Sequence, residues 1–152
     1  MKQVCIQDLK PGLVKGVTVA LPQEFHPNQD HYFEWSAAPL TARFEQPNIT
    51  GGVLRAWRHE PVFTQAEVHV DDEVFYFLSG TALMLFVDYK EGVPDADTAQ
   101  IVRIPAGTQL VIEKGKGHYV AVAQDNETVQ AVVVAPPMNA PRTELSEPVR
   151  GI

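Results

Sequence analysis

Glu67, His69 and Glu73 bring two carboxylates and an imidazole into one short stretch of chain. Two residues apart on a strand, Glu67 and His69 point to the same face, and Glu73 opens the next apolar run. If that face is the inside of a closed barrel, the three form either part of a metal site or an acid–base pair, since both uses need ionisable groups converging in a dry cavity. If residues 66–70 are instead an edge strand, the same polar side simply faces water. A third candidate, His118, follows the turn Gly115-Lys116-Gly117 and opens a strand. There it serves as a general base, as an anchor for a substrate carboxylate, or only as a strand-start histidine bonded to backbone. Glu73, His118 and His69 are therefore the candidates for moving protons. Glu67, His69 and Glu73 are an incomplete metal-ligand set. Arg55, Trp57 and His59 alternate along another strand, where a cation and an aromatic plane suit an anionic substrate. Arg55 and Trp57, with Glu67, are the substrate-binding candidates; an exposed strand face or a subunit contact explains the alternation as well.

The elements that must hold these residues read as β throughout. From Val53 onward, short runs rich in Val, Phe, Tyr and Ile alternate with Gly, Pro or Asp, which is the spacing of strands in a sandwich or barrel. The run from Glu73 to Val87 is broken only at Ser79-Gly80 and reads as a β-hairpin hinged at Gly80. Residues 89–98 read as a loop, and the acidic part of it, 91–97, as solvated. Strands follow at 100–104, 109–113, 119–123 and 129–135. Residues 1–31, rich in turn formers, read as an arm with one strand between Leu13 and Leu21, and their histidines His26 and His31 as solvated. Residues 137–152, with prolines at 137, 141 and 148, read as an extended tail suited to packing on a neighbouring subunit. The expected organisation is one domain over 1–152 with a barrel core at about 41–136.

Composition sets the outer limits. At 152 residues and 45% hydrophobic, the chain can fill one core without disulfides. Its one cysteine, Cys5, has no partner within the chain, which fits a reducing, cytoplasmic setting. No apolar run approaches the roughly 20 residues of a membrane helix, and the N-terminus lacks a secretory pattern. A net charge of -7 argues against nucleic acid as a partner, because that grip needs clustered Lys and Arg. A small-molecule substrate is the expected partner.

The segment from Glu67 through His69 and Glu73 to Gly80 resembles the first motif of the cupins, with His69, Glu73 and Gly80 at the family's spacing and Glu67 where its first histidine stands. Ile104-Pro105-Ala106-Gly107 is similar to the start of the second motif, whose histidine would fall at position 110, here Leu110. The resemblance implies an all-β, cupin-type double-stranded β-helix barrel (jelly roll), with the N-terminal arm and proline-rich C-terminal tail as additions, and a homodimer. It implies a metal held by three histidines and a glutamate, but with Glu67 and Leu110 in two of those places the cofactor expected is none, or a weakly bound divalent ion.

Among cupins without the usual histidines, the chain resembles ureidoglycolate lyases from about Arg58 to Val134. The likeness rests on Arg58-His59, Thr64-Gln65-Ala66, Pro94-Asp95 and Gly115-Lys116-Gly117-His118, with Gly117 where that family has tryptophan. It implies a lyase acting on a small polar carboxylic acid, releasing urea and glyoxylate by acid–base chemistry. Glu73 and His118 would then move protons, and Arg55 would meet the carboxylate. Burial in a narrow barrel raises carboxyl pKa values and lowers those of imidazoles, bringing both toward neutrality. A metal-dependent cupin oxygenase or isomerase and a non-catalytic small-ligand binder are the alternatives.

Overall fold

The structure is a computed structural model that describes residues 1–23, 32–33 and 40–152. His26 and His31 lie outside the described residues. Among the described residues the fold has thirteen strands and no helix, so no described helix is long and apolar enough to cross a membrane. In chain order they are β1 (Lys2–Val4), β2 (Ile6–Asp8), β3 (Val17–Ala20), β4 (Thr50–Ala56), β5 (Val62–Ala66), β6 (Glu73–Ser79), β7 (Thr81–Lys90), β8 (Val93–Pro105), β9 (Gln109–Ile112), β10 (Gly117–His118), β11 (Val122–Ala123), β12 (Val129–Ala135) and β13 (Thr143–Gly151).

They form three sheets. One runs β3-β9-β6-β12-β4, a second β10-β7-β8-β2 with β11 also on β7, and a third β1-β13-β5. Strand β6 alternates: Glu73, Phe75 and Phe77 are buried while Tyr76 and Leu78 are exposed. That is the period of a sheet with one wet face. Strand β7 is apolar without a break from Ala82 to Val87 because both of its faces are covered there. Met84 and Phe86 join the core with Phe75, Phe77, Leu110 and Ile112, while Leu83, Leu85 and Val87 join a second core with Phe63, Ile101, Leu145 and Val149. A continuous apolar run is what two buried faces demand.

This arrangement overturns the hairpin at Gly80. The chain does turn there, with φ of 71°, and a Cβ would sit 2.9 Å from the Thr128 carbonyl oxygen, so glycine is required. Yet β6 and β7 leave the turn into different sheets, making Gly80 a corner. The true hairpin is β7–β8, closed by Glu91-Gly92 with φ of 53° and 81°, the two-residue turn with both centres left-handed. The expected loop at 89–98 is therefore mostly paired strand: Asp88, Tyr89 and Lys90 face Asp95, Pro94 and Val93. Weak alternation and a proline hid it.

The ends also carry more structure than expected. The described part of the arm holds three strands in place of one: β1 runs parallel to β13, β2 parallel to β8, and β3 closes the edge of a five-stranded sheet beside β9. The tail folds back on its own chain as β13, between β1 and β5. Pairing to larger sheets stabilises runs too short to show periodicity by themselves.

Candidate functional site

Backbone pairing assembles the site from segments far apart in the chain. Just past β5, the Glu67 N–H donates to the His118 carbonyl at 2.8 Å, and the His118 N–H returns to the Glu67 carbonyl at 3.0 Å. This isolated antiparallel bridge sets the two side chains on one face. The Gly115 N–H donates to the His69 carbonyl at 2.9 Å, tying the same loop to the β5–β6 connection. Gly117 carries no side chain because the ring of Tyr89 occupies that space: a Cβ there would lie 2.6 Å from its Cε2. That explains glycine where the lyase resemblance expects tryptophan.

Glu67, His69, Glu73 and His118, all singled out by type and spacing, do converge. Glu73 Oε2 is 3.1 Å from His69 Nε2 and 3.0 Å from His118 Nε2. Glu67 Oε1 lies 3.9 and 3.8 Å from the same two nitrogens. The imidazoles sit 5.1 Å apart between centroids, with the Phe75 ring edge-on to His118. His118 is 2% exposed. Its Nδ1 faces the Lys116 carbonyl at 3.4 Å, while its Nε2 faces Glu73. Despite their closeness, Glu73 Oε2 and both nitrogens of His69 make no hydrogen bond of proper geometry. Their polar atoms face a common space without saturating one another.

Burial holds the His69 imidazole below its ordinary value. The Glu73 carboxylate works against that shift, the His118 ring adds to it, and Glu67 opposes it more weakly. Burial likewise pushes the Tyr89 phenol up, with the Thr143 side chain pulling down and the Glu67 charge pushing up.

A cavity of about 180 Å³ opens beside these groups, lined by Leu54, Glu67, Glu73, Phe75, Met84, His118, Val120 and Val133. Its walls are mainly apolar, with Glu67, Glu73 and His118 as the ionisable groups among them. Such a volume suits a ligand well below drug size. Glu67, His69 and His118 each offer one ligand atom, all within 4.8 Å of one another, so the cluster could hold a metal ion. His118 comes from β10, while Leu110, at the motif position, is fully buried on β9 opposite Phe75.

Two candidates fall elsewhere. On β4, Leu54 and Ala56 point inward, so the alternation turns Arg55 and Trp57 to the outer face, where both are exposed, Trp57 at 68%. Neither is among the residues that line this cavity. Arg58 and His59 are exposed too, bonded to Asn126 and to the Glu60 carbonyl. A cation that does reach the site is Arg142, whose Nε lies 3.9 Å from Glu67 Oε2. No local pattern marks it, because it sits in the proline-rich linker between β12 and β13.

The class that this architecture defines is the cupin-like double-stranded β-helix. Among solved structures, the chain is similar to the dTDP-4-dehydrorhamnose 3,5-epimerase of Elizabethkingia anophelis NUHP1, at 16% identity over 86% of this chain and 74% of that one, TM-score 0.55. The Bacillus anthracis str. Ames enzyme of the same name, solved with TDP and PPi bound, matches at 15% identity over 86% and 79%, TM-score 0.53. A Bacillus subtilis oxalate decarboxylase with Mn(II) centres matches at 17% identity over 64% of this chain, TM-score 0.45; the chain spans 24% of that protein's length. At such identities the likeness to the two epimerases shows the fold alone. No family profile and no curated protein sequence matches the chain.

Proposed function

We propose that this protein is a small-molecule enzyme of the cupin kind, acting on a small carboxylic acid at a divalent ion held by Glu67, His69, Glu73 and His118. The observation that carries this reading is the approach of Glu73 Oε2 to both Nε2 atoms, at 3.1 and 3.0 Å, without hydrogen bonds. Glu67 Oε1 stands within 4 Å of the same two nitrogens, so one divalent ion could be shared among these groups. Two carboxylates with two imidazoles suit manganese or ferrous ions, and His118 supplies the ligand that the motif position lacks. When bound, the ion would act as a Lewis acid on a substrate oxygen. The chain's own part is to position and to exclude water. The Lys116 carbonyl holds the His118 ring, and Leu54, Phe75, Met84, Val120 and Val133 enclose the carbon skeleton.

A second reading is favoured by the lowered pKa of His69, which supports a neutral imidazole at neutral pH. With Glu73 beside it, His69 then accepts a proton directly from the substrate, and the acid–base release of urea and glyoxylate from ureidoglycolate is the reaction to assay. Elemental analysis and Mn²⁺ titration of the wild type, His118→Ala and His69→Ala separate the two. The metal reading expects about one ion per wild-type chain and affinity weakened by more than about 100-fold in each variant. A wild type that takes up no ion but turns over ureidoglycolate in the presence of chelator would sink it in favour of the second.

A further inference from the structure

We infer that Arg142 is a positioning residue that acts through Glu67, and that the C-terminal segment is thereby part of the site. Glu67 is turned two ways at once: Oε1 toward His69 and His118, and Oε2 toward the Arg142 guanidinium at 3.9 Å. Arg142 has a built seat. Its guanidinium lies over the Tyr119 ring, 5.3 Å from the centroid. Tyr119 is itself held by a hydrogen bond from Gln65 Nε2 and by the edge of Phe63, 6.5 Å away between centroids. The residue after Arg142, Thr143, opens β13 and pairs with Ala66 on β5, next to Glu67. The strand that ends the chain thus delivers a cation to the back of a carboxylate whose front faces the imidazole pair.

The side chain of Arg142 is 54% exposed, so its ion pair with Glu67 adds little to stability. What the pair supplies is direction. A glutamate with several rotatable bonds, facing two imidazoles at nearly 4 Å, is otherwise free to swing into the cavity. A cation behind it holds the second oxygen and leaves the first aimed inward.

The experiment uses the full chain, with Arg142→Met, Arg142→Lys and Tyr119→Leu compared with the wild type. Crystal structures without metal report where Glu67 lies. The expected result is that the carboxylate leaves the imidazole pair in Arg142→Met and Tyr119→Leu and keeps its place in Arg142→Lys. A Glu67 that stays put in Arg142→Met overturns the inference. Mn²⁺ affinity is the second readout and rests on the metal reading above: about a 10-fold loss in Arg142→Met, largely restored in Arg142→Lys. Equal affinity in Arg142→Met and a Mn²⁺-binding wild type also overturns it. Should the wild type bind no Mn²⁺, the metal reading fails alone, and the position of Glu67 still decides the role of Arg142.

Discussion

Asp71, Asp72 and Glu73 follow one another in the chain and are buried alike, at 1%, 6% and 8% exposure, yet their surroundings treat them differently. Asp71 Oδ1 accepts the Glu45 N–H at 2.7 Å. Asp72 accepts the Arg43 N–H at 2.8 Å on Oδ2 and the Lys114 N–H at 2.9 Å on Oδ1. Each aspartate thus stitches loop backbone to the start of β6. Glu73 Oε2 has no such partner and faces two imidazoles instead. Buried carboxylates filled by backbone amides hold a fold together; one left open beside a cavity holds a place for something else. Burial alone does not tell the two apart, whereas hydrogen-bond satisfaction does.

The contrast is broken most directly by exchanging stability for function. Asp72→Ala strands two backbone donors in a largely buried hub and is expected to cost about 2–4 kcal/mol. At this chain length that lowers the thermal midpoint by roughly 4–16 °C. Glu73→Gln removes a charge that the metal-free fold does not satisfy. In chelator it is expected to leave the midpoint unchanged or to raise it. Calorimetry on both variants checks the pair, and a Glu73→Gln protein as unstable as Asp72→Ala would erase the distinction.

How much of this was legible in the sequence follows from the same physics. The all-β class could be read because it rests on local period, and Glu67, His69 and Glu73 could be singled out by type and spacing; the strand expected at 66–70 ends at Ala66, however, so it is the β5–β6 connection and the bridge to His118, not strand alternation, that bring them together. The place of His118 could be read only from its turn, since the bridge to Glu67 spans a long separation in sequence. Arg142 could not be read at all: a linker has no period, and its contact with Glu67 depends on β13 folding back beside β5. Arg55 and Trp57 lie away from the cavity for a definable reason. Alternation says which residues share a face but not which face is inside, and on β4 the small and aliphatic Ala56 and Leu54 took the interior.

Acidification sharpens the comparison at the His69 end. Its folded pKa is lowered from 6.5 by burial, so below pH 6.5 the unfolded chain binds a proton that the fold resists. The contribution is therefore fully present above 6.5 and is lost as pH falls from there toward the folded value. Glu67, Glu73 and the His118 ring all face the group, and the wild type carries their net effect. In metal-free protein, His69→Leu is expected to flatten this part of the stability profile, by at most about 1.4 kcal/mol per pH unit. Chemical denaturation across pH 5–7.5 measures it, and parallel profiles for the two proteins would remove His69 as the cause.

The smallest effect expected is at the outer face of β4. Arg55→Ala and Trp57→Ala touch neither the cavity nor the imidazole pair, so Mn²⁺ affinity and turnover of any small acid should match the wild type, with stability changes of about 0.5 kcal/mol or less. An equal outcome at Arg55 and Trp57 beside large ones at Asp72 and His118 confines the chemistry to the inward face of the sheet. If Trp57→Ala instead altered both stability and sedimentation while leaving Mn²⁺ affinity alone, this exposed aromatic would belong to a contact between chains, a role for which its position opposite the inward Leu54 and Ala56 suits it. A loss of Mn²⁺ affinity in Arg55→Ala would require the β4 face to reach the cavity, against the alternation that places Leu54 there.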